Sequence, residues 1–185
     1  MEEYKNPAGK FTHEEEQYSA YIGDHISKVE KSFDERGDIL CHVLKLSHEE
    51  IIDLTKRVTQ HDESKWSVEE FPQYRNYFYP AKGEAKDDAA FAKAWEHHYT
   101  VNDHHPEHWV INNVPQDMST VAIAEMILDW EAMSRSFGGN PRIWYRDNSK
   151  NIALSHKTET IVSWVLGIIY NEDDNLKEYR PPILG

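Results

Sequence analysis

The sequence predicts an all-α protein, a single-domain helical bundle of about six to seven helices over residues 1–185. Three observations favour this fold class. Apolar residues recur at intervals of three and four along most of the chain, the period of a helix that is buried on one face. Two capping boxes, Thr12 with Glu15 and Ser47 with Glu50, mark helix starts. No segment shows the alternation of apolar and polar residues that indicates a confident strand.

The first half of the chain predicts three helices after a polar N-terminal tail of about residues 1–12. The first helix is expected to start behind Thr12 and to end at Gly37, because glycine commonly terminates helices. A short second helix is expected over residues 39–46. The third starts behind Ser47, and its buried face is expected to continue through His61-Asp62 at its C-terminal end.

The second half predicts further helices. An aromatic helix over residues 67–79 is interrupted by Pro72, and a surface loop follows over residues 80–87. Two longer helices are expected from Asp88 to the residue before Pro106 and over residues 119–137, the second with an apolar line of Ile123, Ile127, Trp130 and Phe137. The run GGNPR reads as a turn, a last helix is expected over residues 157–170, and an irregular tail over about 171–185.

Composition excludes several classes of function. The net charge of −13 argues against bulk electrostatic binding of nucleic acid, although a small anionic substrate remains compatible with a local metal or a few cations. The single cysteine, Cys41, allows no disulfide within the chain, so we expect a cytoplasmic protein, with Cys41 as a small buried hydrophobe. No apolar run approaches the ~18 residues of a membrane span, and the acidic N-terminus is unlike a signal peptide.

Histidines and acids that suit a metal ion are spread over several predicted helices. Imidazole and carboxylate groups together bind divalent Fe, Mn, Zn or Ni. One isolated inward histidine is commonplace in a core, but several inward candidates that include a His-Asp doublet are not. An acid that faces a core, as Asp129 is expected to, needs a partner. The candidate ligands are His25, His61, Asp62, His98, His104, His105 and Asp129.

Three further residues are expected to support these ligands or the substrate, and a fourth to handle an anion. Glu125 lies one helical turn before Asp129, so it is either a further ligand or an acceptor for a ligand histidine. Glu70 and Asn102 are candidates for orienting ligands or substrate. Lys65, one turn beyond Asp62 in the string HDESK, suits a site that handles anions.

The order His25, His61-Asp62, His98, His104-His105, Asp129, with Lys65 after the doublet, resembles the HD superfamily of helical metal-dependent phosphohydrolases. Within that superfamily it is similar to the variants with extra histidines, the HD-GYP phosphodiesterases among them. The strings HDESK, HHYTVNDHHPEHW and EMILDW are also similar to a narrower bacterial and phage family known only as a domain of unknown function. The resemblance covers roughly residues 20–135.

The resemblance implies an HD-domain-like fold, one or two metal ions and a hydrolytic reaction. It implies that His25, His61, Asp62 and Asp129 hold one ion, and that Asp62 bridges to a second ion held by His98 and one or both of His104 and His105. Metal-activated water would be the nucleophile. Asp62 and Lys65 would be the catalytic residues, with Lys65 on a phosphate oxygen. The substrate would be a nucleotide or another small phosphate ester.

The chain also departs from the HD-GYP pattern, because it lacks the GYP signature and its later histidines are unusually close together. On one continuous helix, His98 and His105 would lie about 10 Å apart along the axis. They could then bind a single ion only if the helix were broken between them. Which of His97, His98, His104 and His105 are ligands therefore stays open.

Other side chains have competing interpretations. The aromatic residues between Phe71 and Tyr79 either form core or wall a base-stacking pocket. Arg135, Arg142 and Arg146 either contact phosphate or are surface arginines without a role. As alternatives to hydrolysis, some HD-type proteins are di-iron oxygenases, and a metal can also staple helices in a non-catalytic binding protein. The sequence does not determine the oligomeric state.

Overall fold

The computed structural model describes residues 1–171 and Leu176, and within that part the chain forms seven α-helices and one two-stranded ladder. The predicted all-α fold class and helix number are confirmed. The helices are α1 (His13–Leu44), α2 (His48–Thr59), α3 (Phe71–Phe78), α4 (Asp88–Val101), α5 (Thr120–Phe137), α6 (Pro141–Asn148) and α7 (His156–Ile169). The strands β1 (Val110–Ile111) and β2 (Val114–Pro115) pair antiparallel. None of the described helices is both long and apolar enough to cross a membrane.

The described residues group into two compact units. The first comprises residues 1–24 and 62–103, and the second comprises residues 25–61 and 104–171 with Leu176. The chain therefore passes between units at Asp24–His25, at His61–Asp62 and at Asp103–His104. The prediction of one HD-like domain over residues 1–185 stays a prediction.

The first unit is built around stacked aromatic rings. Phe71 and Tyr74 of α3 are buried against Tyr18 of α1, and Tyr77 stacks on Phe91 of α4 at 4.0 Å between ring centroids. Of the two interpretations of the aromatic run, core is therefore the one the packing favours, although Phe78 stays 55% exposed.

The second unit holds the main aliphatic core. Leu54 and Val58 of α2 pack with Ile123 and Ile127 of α5, and all four are at most 2% exposed. The predicted Ser47–Glu50 capping box is present in full and fixes the start of α2. The prediction that Phe137 belongs to the buried apolar line of α5 is wrong, because its side chain is 64% exposed.

The predicted break at Gly37 is wrong, because α1 runs through it and absorbs the predicted second helix. A side chain at Gly37 would meet the Phe33 ring at 2.8 Å, so glycine here makes room for an aromatic ring within the helix. The buried face continues beyond it through Leu40 and Leu44. Continued burial outweighs the roughly 1 kcal/mol that an interior glycine costs.

Five other boundaries differ from the predictions. The aromatic helix starts at Phe71 and not at residue 67, so Pro72 lies in its first turn and does not interrupt it. His61 and Asp62 lie in the turn after α2 and not on the helix, and α4 ends at Val101 well before Pro106. The loop after His105 contains the β1–β2 ladder, which turns through Asn112 and Asn113 at positive φ. The GGNPR run is a turn only up to Asn140, whose side chain caps the unpredicted helix α6. Most of the predicted irregular tail, 172–175 and 177–185, lies outside the described residues.

Candidate metal centre

Helix α5 brings two acids to one place in the second unit. Ser119 caps the helix, which fixes its first turn, and Glu125 and Asp129 then fall one turn apart on the same side. Glu125 is 4% exposed, whereas the Asp129 side chain retains 14% exposure. Acids this poorly hydrated need compensating partners.

Two imidazoles supply partners for Asp129. His25 of α1 places Nε2 3.1 Å from Asp129 Oδ1, and His61 places Nε2 3.8 Å from the same oxygen. Both histidine side chains are at most 4% exposed. The prediction that His25 points inward is confirmed.

Glu125 serves two histidines at once. Its Oε1 accepts a hydrogen bond from His61 Nδ1 at 2.9 Å and lies 3.2 Å from His104 Nδ1. A carboxylate can only accept, so each imidazole carries a proton at Nδ1, and its Nε2 atom faces away from Glu125. Arg57 Nη1 contacts Oε2 at 3.3 Å and offsets part of the buried negative charge.

Electrostatics keep both acids ionised. Burial alone would raise the pKa of Asp129, but the hydrogen bond with His25 and the interactions with the His25 and His61 imidazoles hold it well below its usual value. The pKa of Glu125 is lowered in the same way, against burial, by His104 and His61. A metal ion binds ionised carboxylates and neutral imidazoles. Glu125 and Asp129 are therefore already in the protonation state that a cation requires.

The geometry fits a divalent ion. One ligand atom each from His61, His104 and Asp129 lie within 4.8 Å of one another, against roughly 3.4 Å between ligands of a tetrahedral ion. The Nε2 atoms of His25 and His61 lie 3.1 and 3.8 Å from Asp129 Oδ1, on either side of that ligand–ligand distance. His25 is not a member of this three-residue group, but its contact with Asp129 places it beside the group. The half-buried His105 stacks on His104 at 4.2 Å between centroids.

The first unit holds a second cluster, centred on His98 at the end of α4. His98 Nδ1 donates to Glu70 Oε2 at 2.8 Å, and its Nε2 faces Asp62 Oδ1 at 3.2 Å. Burial alone would lower the pKa of His98, but the charge of Asp62 and hydrogen bonds to both acids raise it. Glu70 is wholly buried and takes His97 Nδ1 on its other oxygen at 2.7 Å, so it orients two histidines as Glu125 does.

Asn102 and Ser64 complete this cluster. The Asn102 side chain donates to Ser64 Oγ at 2.7 Å and to the His98 carbonyl at 2.8 Å. The Asn102 backbone N–H also donates to the His98 carbonyl, and Asn102 is the C-cap of α4. These contacts end the helix, so His105 is not on the same helix as His98. The expected 10 Å axial separation of these two residues therefore does not apply.

Lys65 contacts the doublet acid directly. Its Nζ lies 2.6 Å from Asp62 Oδ2, within the turn that follows α2. Asp62 itself has φ 57°, a left-handed conformation that costs a non-glycine residue about 1–2 kcal/mol. Strain of this kind persists where the surroundings fix it and is commonly found at functional sites.

All eleven predicted site residues fall into these two clusters. The second unit gathers His25, His61, His104, His105, Glu125 and Asp129, and the first gathers Asp62, Lys65, Glu70, His98 and Asn102. The prediction that Asp62 shares an ion with His25, His61 and Asp129 stays a prediction.

Sequence reasoning missed Ser64 and Arg57 and left His97 open. Ser64 lies inside HDESK, so the motif itself could have drawn attention to it. Arg57 gave no local signal, because its contact with Glu125 spans 68 residues of sequence.

Two other predictions concerned arginine and cysteine. Arg135 is not a surface residue, since it is 2% exposed and paired with Glu131 and Glu35. Arg142 donates to the Tyr170 carbonyl and Arg146 to Asp147. Cys41 is buried, as predicted.

Comparison with known families gives a match over most of the chain. The model of a family of unknown function, DUF5662, matches residues 14–168. The chain belongs to the DUF5662 family. The expectation of an uncharacterised family is therefore confirmed, whereas the likeness of this DUF5662 protein to the HD superfamily stays a prediction. Searches of curated proteins and of solved structures gave no significant match.

Proposed function

We propose that this chain is a metal-dependent phosphohydrolase that acts on a nucleotide or another small phosphate ester. The observation that carries the proposal is the buried group of His61, His104 and Asp129, with His25 beside it and Glu125 behind two of its imidazoles. This set of nitrogen and oxygen donors is the one that Fe, Mn, Zn and Ni accept.

Partial exposure of Asp129 favours a reactive site over a purely structural one. His61 and His104 are at most 2% exposed, whereas the Asp129 side chain retains 14%. A structural ion is enclosed by protein ligands, while a catalytic ion keeps a position for water or substrate. Of these three ligands, Asp129 is therefore the one that solvent or a substrate can reach.

The protein residues have distinct roles in this proposal. When bound, a divalent ion would supply Lewis acidity towards a phosphoryl oxygen and would lower the pKa of water towards neutrality. His25, His61, His104 and Asp129 would hold the ion, and Glu125 would keep the two imidazoles in the required tautomer and orientation. A second ion near Asp62 and His98 is a further proposal, drawn from the resemblance alone.

Lys65 is proposed to bind a non-bridging phosphate oxygen. Its ammonium group already donates a hydrogen bond to a carboxylate oxygen of Asp62. The length and charge of the side chain therefore suit a phosphate oxygen beside Asp62. Substitution of Lys65 by Met should therefore raise KM for a phosphate ester and leave metal content unchanged. An unchanged KM would remove Lys65 from the site.

The decisive experiment compares two reactions of the same preparation. The chain, purified without a tag or chelator and loaded separately with Mn, Zn and Fe, is assayed for phosphate release from a panel of nucleotides and sugar phosphates and for oxygen consumption. The proposal predicts that Asp129→Asn loses phosphate release. The control variant His42→Ala, at an exposed position on α1, should keep it.

The other outcomes assign the alternative functions. Oxygen consumption with iron, without phosphate release, would favour a di-iron oxygenase. Tightly bound metal with neither reaction would favour a non-catalytic role in which the ion staples the helices. Either result would overturn the phosphohydrolase proposal.

A further inference from the structure

The N-terminal segment is not a loose tail but is paired with the chain just beyond the HDESK motif. The Tyr4 amide donates to the Trp66 carbonyl at 2.7 Å, and the Val68 amide donates to the Glu2 carbonyl at 3.0 Å. Glu3 and Ser67 form an antiparallel bridge between these bonds. Residues 2–4 therefore act as a short strand against residues 66–68, all within the first unit.

Two aromatic side chains of the same segment pack on one buried ring. Tyr4 stacks on Phe71 with 4.8 Å between ring centroids, and Phe11 stacks on the same ring with 5.3 Å between centroids. Phe71 is fully buried. The segment reverses direction between them through a turn at Asn6–Gly9, where Gly9 has φ 78°. Both ends of the segment thus contact the start of α3.

One carboxylate on α1 ties the segment together. Glu15 is 5% exposed and accepts hydrogen bonds from the Tyr4 hydroxyl, the Asn6 amide group and the Thr12 backbone amide. Burial alone would raise the pKa of Glu15, but these hydrogen bonds lower it, so the carboxylate is ionised at neutral pH. Burial first, and then the interaction with Glu15, raise the pKa of Tyr4 to about 12. The predicted Thr12–Glu15 capping box is present, and its Glu15 carboxylate also binds the Tyr4 and Asn6 side chains.

The stretch that the segment covers carries three side chains of the His98 cluster. Ser64 lies 3.1 Å from His98 Nδ1, Glu70 accepts from that nitrogen, and Lys65 pairs with Asp62. Residues 62–71 contain only a 3-10 turn over Glu63–Trp66 before α3 begins, so little regular structure holds them. The backbone bonds from Glu2 and Tyr4 fall in the middle of this stretch.

We propose that residues 2–11 form a strap that holds residues 62–71 in place and thereby positions Ser64, Lys65 and Glu70. The strap precedes the region matched by the family model, which begins at residue 14, so it is a feature that the family model does not describe. Its residues are positioning residues, which act through Ser64, Lys65 and Glu70. For activity the inference rests on the proposed function, because Lys65 is there assigned to phosphate.

The test is amide hydrogen exchange, measured by mass spectrometry on the full chain. The variant Tyr4→Ala/Phe11→Ala removes both stacked rings, and a second variant lacks residues 2–11. In both we expect at least roughly tenfold faster exchange over residues 63–71, with α5 and α7 of the second unit unchanged. The conservative Tyr4→Phe variant keeps the stacking and should show a smaller increase. Phe137→Ala, which truncates an exposed aromatic residue, is the control and should show none.

Two results would overturn the strap. Unchanged exchange over residues 63–71 would mean that this stretch holds itself, and equal acceleration in every helix would mean that residues 2–11 merely contribute to general stability. Kinetics give a separate reading. If the chain hydrolyses phosphate esters, the Tyr4→Ala/Phe11→Ala variant should raise KM several-fold without lowering metal content. If it hydrolyses none, the exchange result alone still decides the strap.

Discussion

Substitution of Glu125 by Gln tests whether this acid orients two ligands or is a ligand itself. The carboxylate is 4% exposed and lies 2.9 Å from His61 Nδ1 and 3.2 Å from His104 Nδ1. Glutamine has nearly the same shape, and its carbonyl oxygen can still accept from both imidazoles. Two things change: the negative charge is lost, and an amide donor replaces the oxygen that faces Arg57 at 3.3 Å.

The expected loss of metal affinity follows from the contacts that change. Removing an acceptor behind ligand histidines typically costs about 10–100-fold in metal affinity, which is about 1.4–2.7 kcal/mol. Glu125 stands behind two histidines, but the substituted amide still offers them an acceptor oxygen, so we expect a loss of about 30-fold. The assay is competition of Zn or Co binding against a chromophoric chelator, with thermal unfolding of the metal-free protein to check folding. Glu96→Gln, at an exposed position on α4, is the matched control.

Two results would refute this reasoning. Affinity within about twofold of the unsubstituted chain would show that the hydrogen bonds to His61 and His104 do not set metal binding. A loss as large as that of Asp129→Asn would show that Glu125 binds the ion directly, which is the alternative that the sequence left open.

Three further predictions concern stability. Arg135→Met should destabilise the fold by about 3 kcal/mol in chemical unfolding, because it removes the closest cation from the wholly buried Glu131 and leaves it with the Tyr170 hydroxyl and with Arg36 at 3.9 Å. Adding Glu131→Leu should recover part of that loss, and equal losses in the single and double variants would argue against a poorly compensated charge. The pairing with Arg75 lowers the pKa of Glu84 from 4.5 to about 2. The stabilising contribution of Glu84 is therefore complete above pH 4.5 and is lost as the pH falls towards 2. Arg75→Gln should flatten that part of the curve of stability against pH, and an unaltered curve would contradict the assignment. Ser47→Ala should cost about 1 kcal/mol by removing the cap of α2, and a loss below roughly 0.3 kcal/mol would show that the cap matters little.

Helix positions could be predicted because burial on one face leaves a periodic trace in the sequence. The failures occur where tertiary contacts override local signals. Gly37 should end a helix, but the Phe33 ring occupies the space beside it and the buried face continues. Nothing in the period of α4 reveals that it ends at Val101, because that end is fixed by bonds from Asn102 to Ser64 and to the His98 carbonyl.

The membership of the candidate site could be predicted better than its internal contacts. Residue types and inward-facing positions were enough to select His25, His61 and Asp129, which the structure places together. The division of labour was not predictable. That Glu125 takes two imidazoles depends on how α2 packs on α5 within the second unit, and sequence spacing carries no such information.

The measurement that tests the central claim most directly is metal content per chain, by plasma mass spectrometry on protein purified without an affinity tag or chelator. The account predicts one or two transition-metal ions per chain, lost in Asp129→Asn and retained in His42→Ala. Absence of bound metal in the unsubstituted chain, even after incubation with Mn, Fe and Zn, would contradict it and would leave the buried histidines as partners of Glu125 and Asp129 alone.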